Sequence, residues 1–353
     1  MLSLLNLTAN AYAAAVKERL GRGERHARLI YREWYRTGRV KAEDPAFGTA
    51  QTLLQAILQI SDFSLPDVTA IPFNGQTSKF LIRTHDKLEI ESVVIPMQAG
   101  GTLCVSSQVG CRMGCSFCET GRMGLLRNLT AGEIVAQVFL ARHHLGADVR
   151  NIVFMGMGEP FDNYDQVMHA FRILSDPDGL GFGHRHIAIS TSGLVDGIDR
   201  LIAEGEVAPN LAVSINGSND LIRQKLMPIN RRFSMEALYQ AIKRYNEATG
   251  REVLTAYVLL QGINDSLAHA EELASFLQGL QVKVNLIPFN PLSRDRYQPP
   301  EPRIIEAFFS HLHQRGLRPL IRHTKGRDIM AACGQLGNLE LRRTKLRIAP
   351  LES

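Results

Sequence analysis

Apolar positions follow two regimes along the chain. Up to about residue 75 they recur at helical spacing, predicting helices over Ala9 to Leu20 with Thr8 as N-cap, over Arg25 to Arg36, and over Thr49 to Ile60. Lys79–Thr84 and Leu88–Ile95 flank the polar Thr84-His85-Asp86-Lys87 and predict a β-hairpin. Then short apolar runs take over, at Thr102–Ser107, Asn151–Met155, His186–Ser190, Asn210–Ile215, Glu252–Leu260 and Val282–Pro288. Helix-like stretches lie between them, including Ala131–His143, Tyr164–Leu174, Ser234–Glu247 and Ser266–Gln278. Strand alternating with helix argues for an α/β fold with a parallel sheet and crossover helices. Six such units predict a partial (βα)6 barrel whose site is built from the loops after the strands. Arg303–His313 predicts a further helix and Arg318–His323 a last strand. The expected division is a helical accessory domain over residues 1–75 and an α/β domain over 76–353 that ends in a loop around Cys333.

Composition narrows the class. The chain has 353 residues, 45% hydrophobic and 21% charged, as in an ordinary soluble protein with room for more than one domain. No apolar run approaches the ~18 residues of a membrane span. The alanine-rich Met1 to Val16 lacks a basic leading region and is interrupted by Asn6 and Asn10, which argues against a signal peptide. Five cysteines in this length point to redox or metal chemistry in a reducing cytoplasm. The net charge of +5 mildly favours a polyanionic partner. Arg25, Arg28, Arg32, Arg36 and Arg39 form one face of the second helix, with Tyr31, Trp34 and Tyr35 interleaved. That face suits RNA phosphates and bases, or equally a solvated surface with its aromatics turned into a core.

The most specific chemistry lies in Cys111-Arg112-Met113-Gly114-Cys115-Ser116-Phe117-Cys118, within a glycine-flanked loop from Gly110 to Gly124. A structural zinc site wants four protein ligands, and no fourth Cys or His follows at a usual short spacing. Three thiolates suit a 4Fe-4S cluster with one iron left open. The amino and carboxylate groups of S-adenosylmethionine (SAM) can chelate that iron, and an electron from the cluster can then cleave a carbon–sulfur bond to give a 5′-deoxyadenosyl radical. The spacing resembles the radical SAM superfamily. Other polar residues fall at strand ends, where α/β enzymes place ligand contacts. They are Gly156-Met157-Gly158-Glu159-Pro160, in which Glu159 suits a cationic amine, then Ser190, Ser214-Ile215-Asn216 and Asn290. Each alone reads as an ordinary loop residue, and together they ring one barrel mouth. Cys104 ends the first barrel strand. Cys333 lies in a small-residue segment bordered by Lys325 and Arg327, suited to a thiol of lowered pKa.

These pieces together resemble the RlmN/Cfr family of radical SAM RNA adenine methyltransferases. The resemblance runs from Arg25–Val40 to Leu336. It rests on Thr102–Gln108, the cysteine loop with Arg127-Asn128-Leu129-Thr130 and Gly132-Glu133, Met155–Pro160, Leu226-Met227-Pro228-Ile229-Asn230, Asn285–Asn290 and Ala331–Leu336. It implies cluster ligands Cys111, Cys115 and Cys118, and SAM contacts at Gly158, Glu159, Ser190, Ser214, Ile215, Asn216 and Asn290. It implies that one SAM methylates Cys333 and that a second supplies the radical that activates this methyl group. The resulting carbon radical adds to an electron-poor adenine carbon, a base matching Glu91 removes the ring proton, and Cys104 releases product by forming a disulfide with Cys333. Without the resemblance, Glu91 reads as a plain strand glutamate. The implied substrate is C2 of a 23S ribosomal RNA adenosine, also possible in transfer RNA, with C8 methylation or another RNA as the alternative. The implied setting is a cytoplasmic monomer served by a flavodoxin-type electron donor, with no membrane partner. Asn216 stands where His is common in the family, Glu119 where Ser is common, and Gly121-Arg122-Met123-Gly124 departs from the usual loop. Two rivals are a non-catalytic zinc-stabilised RNA-binding module and a radical SAM enzyme that needs neither Cys104 nor Cys333.

Overall fold

A threonine cap opens the helical region. In the computed structural model, α1 spans Ala9–Leu20, and Thr8 Oγ1 accepts the Ala11 amide at 3.3 Å. α2 is Glu24–Thr37 and α3 is Gln51–Ile60. The structure describes residues 1–41, 50–70, 76–291, 296–322, 330–332 and 334–337. Cys333, its neighbours Lys325 and Arg327, Thr49 at the head of the third predicted helix and His323 at the end of the last predicted strand lie outside the described residues.

The chain forms two compact units. The first contains Met1–Val105, Leu129–Ile152 and Tyr164–Ile187, so the helices of residues 1–75 share it with the hairpin and with later elements. Its strands β1 (Asp67–Ala70), β2 (Ser78–Arg83), β3 (Glu89–Ile95) and β4 (Gly101–Cys104) pair antiparallel in the order β4–β3–β2–β1. The expected hairpin is β2–β3. Next come α4 (Ala131–His143), β5 (Val149–Phe154), which runs on into the second unit, and α5 (Tyr164–Leu174). Thr130 and Glu133 close a capping box at the head of α4, which explains why both residue types stand there. α4 is buried from Ala131 through Gly132 and from Ile134 to Ala141, as an interior helix that is apolar nearly all round must be. Trp34 of α2 stacks on Phe139 of α4 with centroids 4.3 Å apart. Tyr31 and Tyr35 are also buried, their hydroxyls donating to the Leu7 and Leu4 carbonyls at 2.9 Å each. The three aromatics are therefore core, which decides between the two readings of this helix in favour of aromatics turned inward.

The second unit contains Ser106–Asn128, Val153–Asn163 and Ala188–Ser353. Here β6 (Ile187–Thr191), β7 (Asn210–Ser214), β8 (Val253–Leu259), β9 (Val282–Pro288) and β10 (Pro319–Ile321) pair parallel in that order. Helices α6 (Val195–Ala203), α7 (Asp220–Leu226), α8 (Met235–Thr249), α9 (Leu267–Leu277) and α10 (Pro302–Gln314) cross between them. Side chains alternate across a strand. In β8, Val253, Thr255, Tyr257 and Leu259 are buried, while the half-buried Leu254, Ala256 and Val258 line a cavity on the other face. That cavity lies wholly within the second unit.

Candidate active site

The cysteine loop is closed at its neck. Gly110 has φ +78°, and a Cβ there would lie 1.8 Å from the Gly124 carbonyl oxygen, so only glycine lets the two limbs cross. The Cys111 amide donates to Gly124 O at 3.1 Å, and the Leu126 amide to Val109 O at 2.8 Å. Gln108, fully buried, ties the loop to its surroundings: its Nε2 donates to Asn128 Oδ1 and Asp162 Oδ2, and its Oε1 accepts the Glu159 amide, all at 2.8 Å. Arg112 pairs with Asp162 at 2.8 Å. Further along, the Ser116 amide donates to Leu226 O at 2.9 Å, joining the loop to the end of α7. Arg122 grips Ser116 O through Nε and one terminal nitrogen, at 3.2 and 3.0 Å, and Glu119 lies 3.4 Å from its other terminal nitrogen. Glu119 and the altered Gly121–Gly124 stretch thus work as one brace.

Cys111, Cys115 and Cys118 line a single cavity, open to solvent, together with Gly158, Glu159, Ser190, Ser214, Asn216 and Asn290. Of the seven SAM contacts that the resemblance implies, six line this cavity. Ile215 is fully buried and is not among the lining residues; its amide donates to Ala256 O at 2.9 Å. Burial pushes all three thiols up from the usual cysteine range. No three Cys, His, Asp or Glu side chains among the described residues are grouped to hold a metal ion. The described lining contains three cysteines and no histidine, a donor set that fits a cluster with one open iron.

Glu159 is a placed carboxylate. Its Oε2 accepts the Ser192 amide at 2.6 Å and its Oε1 the Phe161 amide at 3.1 Å. Burial raises its pKa and these amides oppose the rise. The preceding Gly158 has φ +104°, and a Cβ there would meet Gln108 Cβ at 2.6 Å and Ser107 Oγ at 2.8 Å. Asn216 adopts φ +55°, a conformation that asparagine tolerates best among non-glycine residues. Its Oδ1 accepts the Val258 amide at 2.8 Å and its Nδ2 approaches Met227 Sδ at 3.3 Å, so this family departure pins β8 beside the cavity.

Two features had no sequence signal of their own, and a third lay within the Ala331–Leu336 segment without a role assigned to it. Arg223 on α7 is fully buried, and burial lowers its guanidinium to about 10, still protonated at neutral pH. Arg322, one residue past β10, places a cation in the cavity lining. Gly334 also lines the cavity, and its carbonyl accepts the Glu119 amide at 2.9 Å. Thr120 Oγ1 donates to Leu336 O, and Gln335 Nε2 to Pro291 O at 3.2 Å, so the segment after Cys333 is fastened beside the cysteine loop.

Cys104 and Glu91 belong to the first unit. Cys104 pairs with Val93 across β4 and β3. Opposed residues share a sheet face, as do residues two apart on one strand, so Cys104 and Glu91 lie on the same face. Both are buried, and Lys79 Nζ lies 3.5 Å from Glu91 Oε2. The basic face of α2 is partly neutralised: Arg28 lies 3.3 Å from Asp178, and Arg32 pairs with the same carboxylate. Hydrogen bonding from Arg32, with help from Arg28, holds Asp178 below the usual carboxylate range.

Residues 105–277 match the radical SAM superfamily. The chain is 57% identical over 350 residues, 99% of its length and 98% of the other's, to a probable dual-specificity RNA methyltransferase RlmN 1 of Protochlamydia amoebophila. It is 41% identical to a dual-specificity RNA methyltransferase RlmN of Magnetococcus marinus, covering 95% of each chain. The crystal structure of a radical SAM methyltransferase from Sphaerobacter thermophilus superposes with a TM-score of 0.86 at 42% identity, covering 95% of this chain and 99% of that one.

Proposed function

We propose, on the premise that this chain belongs to the RlmN family of radical SAM RNA methyltransferases, that it methylates an adenine carbon of RNA through a methylated cysteine. The carrying observation is that the three cluster-spaced cysteines and Gly334, the residue next to Cys333, line the same cavity. When bound at Cys111, Cys115 and Cys118, a 4Fe-4S cluster supplies the electron that cleaves SAM to a deoxyadenosyl radical. Glu159, fixed by two backbone amides, receives the amino group of SAM, while Gly158, Ser190, Ser214, Asn216 and Asn290 shape the rest of its pocket. Cys333 carries the methyl carbon that is joined to adenine. Glu91, which Lys79 approaches at 3.5 Å, takes the ring proton, and Cys104 attacks Cys333 sulfur, so that the sulfur–carbon bond breaks, the released carbon takes up a proton and the disulfide forms.

The proposed target is C2 of a 23S ribosomal RNA adenosine, with a transfer RNA as second substrate, in accord with the dual specificity in the relatives' names. Residues 1–75 are the proposed RNA-binding accessory region and 76–353 the catalytic one. Among the described residues no helix is long and apolar enough to cross a membrane. A cytoplasmic monomer reduced by a flavodoxin-type donor completes the reading. The test has two arms. Anaerobically purified protein should contain iron and sulfide, and mass mapping should find methyladenine restored when cells lacking the gene regain it. Zinc without sulfide, or unchanged RNA, would overturn the proposal.

A further inference from the structure

Arg223 is buried where few arginines are, and each of its donor groups is used. Nε donates to Ile215 O at 3.1 Å, one terminal nitrogen to Asn230 Oδ1 at 2.8 Å, and the other to Ser192 O at 2.6 Å and Ser214 O at 3.3 Å. Those carbonyls lie just past β6 and at the end of β7, in the two strand–loop junctions that contribute Ser190, Ser192, Ser214 and Asn216 to the cavity. Ser192 is held from both sides, its carbonyl by Arg223 and its amide by Glu159. The carrier of Arg223, α7, also holds the cysteine loop through Ser116 N–H and Leu226 O. Space around the guanidinium is reserved for it: a Cβ on Gly193 would come within 2.7 Å of its terminal nitrogen, and one on Gly217 within 2.5 Å of the Arg223 amide nitrogen. A buried charge is expensive unless it is used. Nothing in the proposed steps uses this one.

We infer that Arg223 is a positioning residue: it sets the Ser192 and Ser214 loops for SAM. The inference rests on the reading of this cavity as the cluster and SAM site.

The experiment compares wild type, Arg223→Lys and Arg223→Gln after anaerobic reconstitution. Iron and sulfide content, the SAM dissociation constant and the melting temperature are recorded for each. Arg223→Lys keeps the charge and loses the fork; SAM affinity should fall about tenfold or more, the scale of one charge-assisted hydrogen bond. Arg223→Gln should show at least the same loss of affinity. Wild-type affinity in both, with only a lower melting temperature, would reduce Arg223 to a structural residue. If Arg223→Gln does not fold, Arg223→Lys decides alone, since wild-type SAM affinity in it overturns the inference. Wild type that takes up no iron and sulfide would sink the site reading itself, a failure shared by all three proteins and so distinguishable.

Discussion

Replacing Asp178 with Asn should make the protein bind RNA more tightly, an unusual direction for removing a contact. In the free protein Asp178 engages Arg28 and Arg32, two of the arginines on the basic face of α2. Its carboxylate is partly exposed, with 22% of the side chain accessible, so the pairs resemble surface ion pairs worth ~0–1 kcal/mol, and stability should change little. RNA phosphates must compete with that carboxylate. Asn keeps the shape and removes the charge, freeing both arginines for phosphate. Each phosphate contact adds about 0.7 to 0.9 to the slope of log affinity against log salt, so two should steepen it by about 1.4 to 1.8. The assay is fluorescence anisotropy with a ribosomal RNA fragment across a salt series. The pH dependence has a definite sign. Arginine holds the folded-state pKa of Asp178 below its unfolded value, so the pairing is fully present above the ordinary carboxylate range. It is lost only as pH falls through the lowered folded value, so wild type and variant should differ equally throughout neutral pH and converge in acid. An unchanged or shallower slope in Asp178→Asn would refute RNA binding by this face.

Three further outcomes follow from the geometry. Cys111→Ala, Cys115→Ala or Cys118→Ala should lose iron and SAM cleavage, read by metal analysis and deoxyadenosine formation; full cluster content in any of them would contradict the ligand set. Gly158→Ala faces a positive φ costing ~1–3 kcal/mol, with overpacking against Gln108 of ~1–3 kcal/mol more. Its SAM affinity should drop by about tenfold or more in calorimetry, and wild-type binding would mean the loop is not shaped for the ligand. Trp34→Ala should destabilise the protein by ~3–5 kcal/mol because it empties a stacked core site, whereas Trp34→Phe should bind RNA as wild type does; loss of RNA affinity in a stable Phe variant would return the aromatics to the binding surface.

Much of the parallel region was legible because strands buried by helices read as unbroken apolar runs. Val282–Pro288 matches its predicted limits, and Asn210–Ser214 and Val253–Leu259 differ by a residue or so at their ends. Caps were legible too, since Thr8 signals its helix locally. What stayed hidden depends on distance along the chain. Arg28 meets Asp178 150 residues away, so a charge pattern on one helix could not say which arginines are free. Tyr31, Trp34 and Tyr35 sit between arginines in sequence, yet helical geometry turns them inward together. Arg223 follows three residues after Asp220 in an ordinary polar stretch, and nothing local marks it as fully buried. α7 has seven residues, too few for its periodicity to stand out. Glu119 and Asn216 were visible as departures, but their roles as brace and pin required coordinates.

The central claim is that methyl transfer runs through a covalent link between Cys333 and RNA that Cys104 resolves. Cys104→Ala purified from cells containing its RNA tests this most directly, by denaturing gel and mass spectrometry. Thioether bonds survive ordinary reductants, so the variant should accumulate a nuclease-sensitive adduct on Cys333. The Cys104→Ala/Cys333→Ala double variant should show none. A structural cysteine at either position would lower stability without producing a crosslink. Unmodified Cys333 in Cys104→Ala, together with normal RNA methylation, would contradict the account.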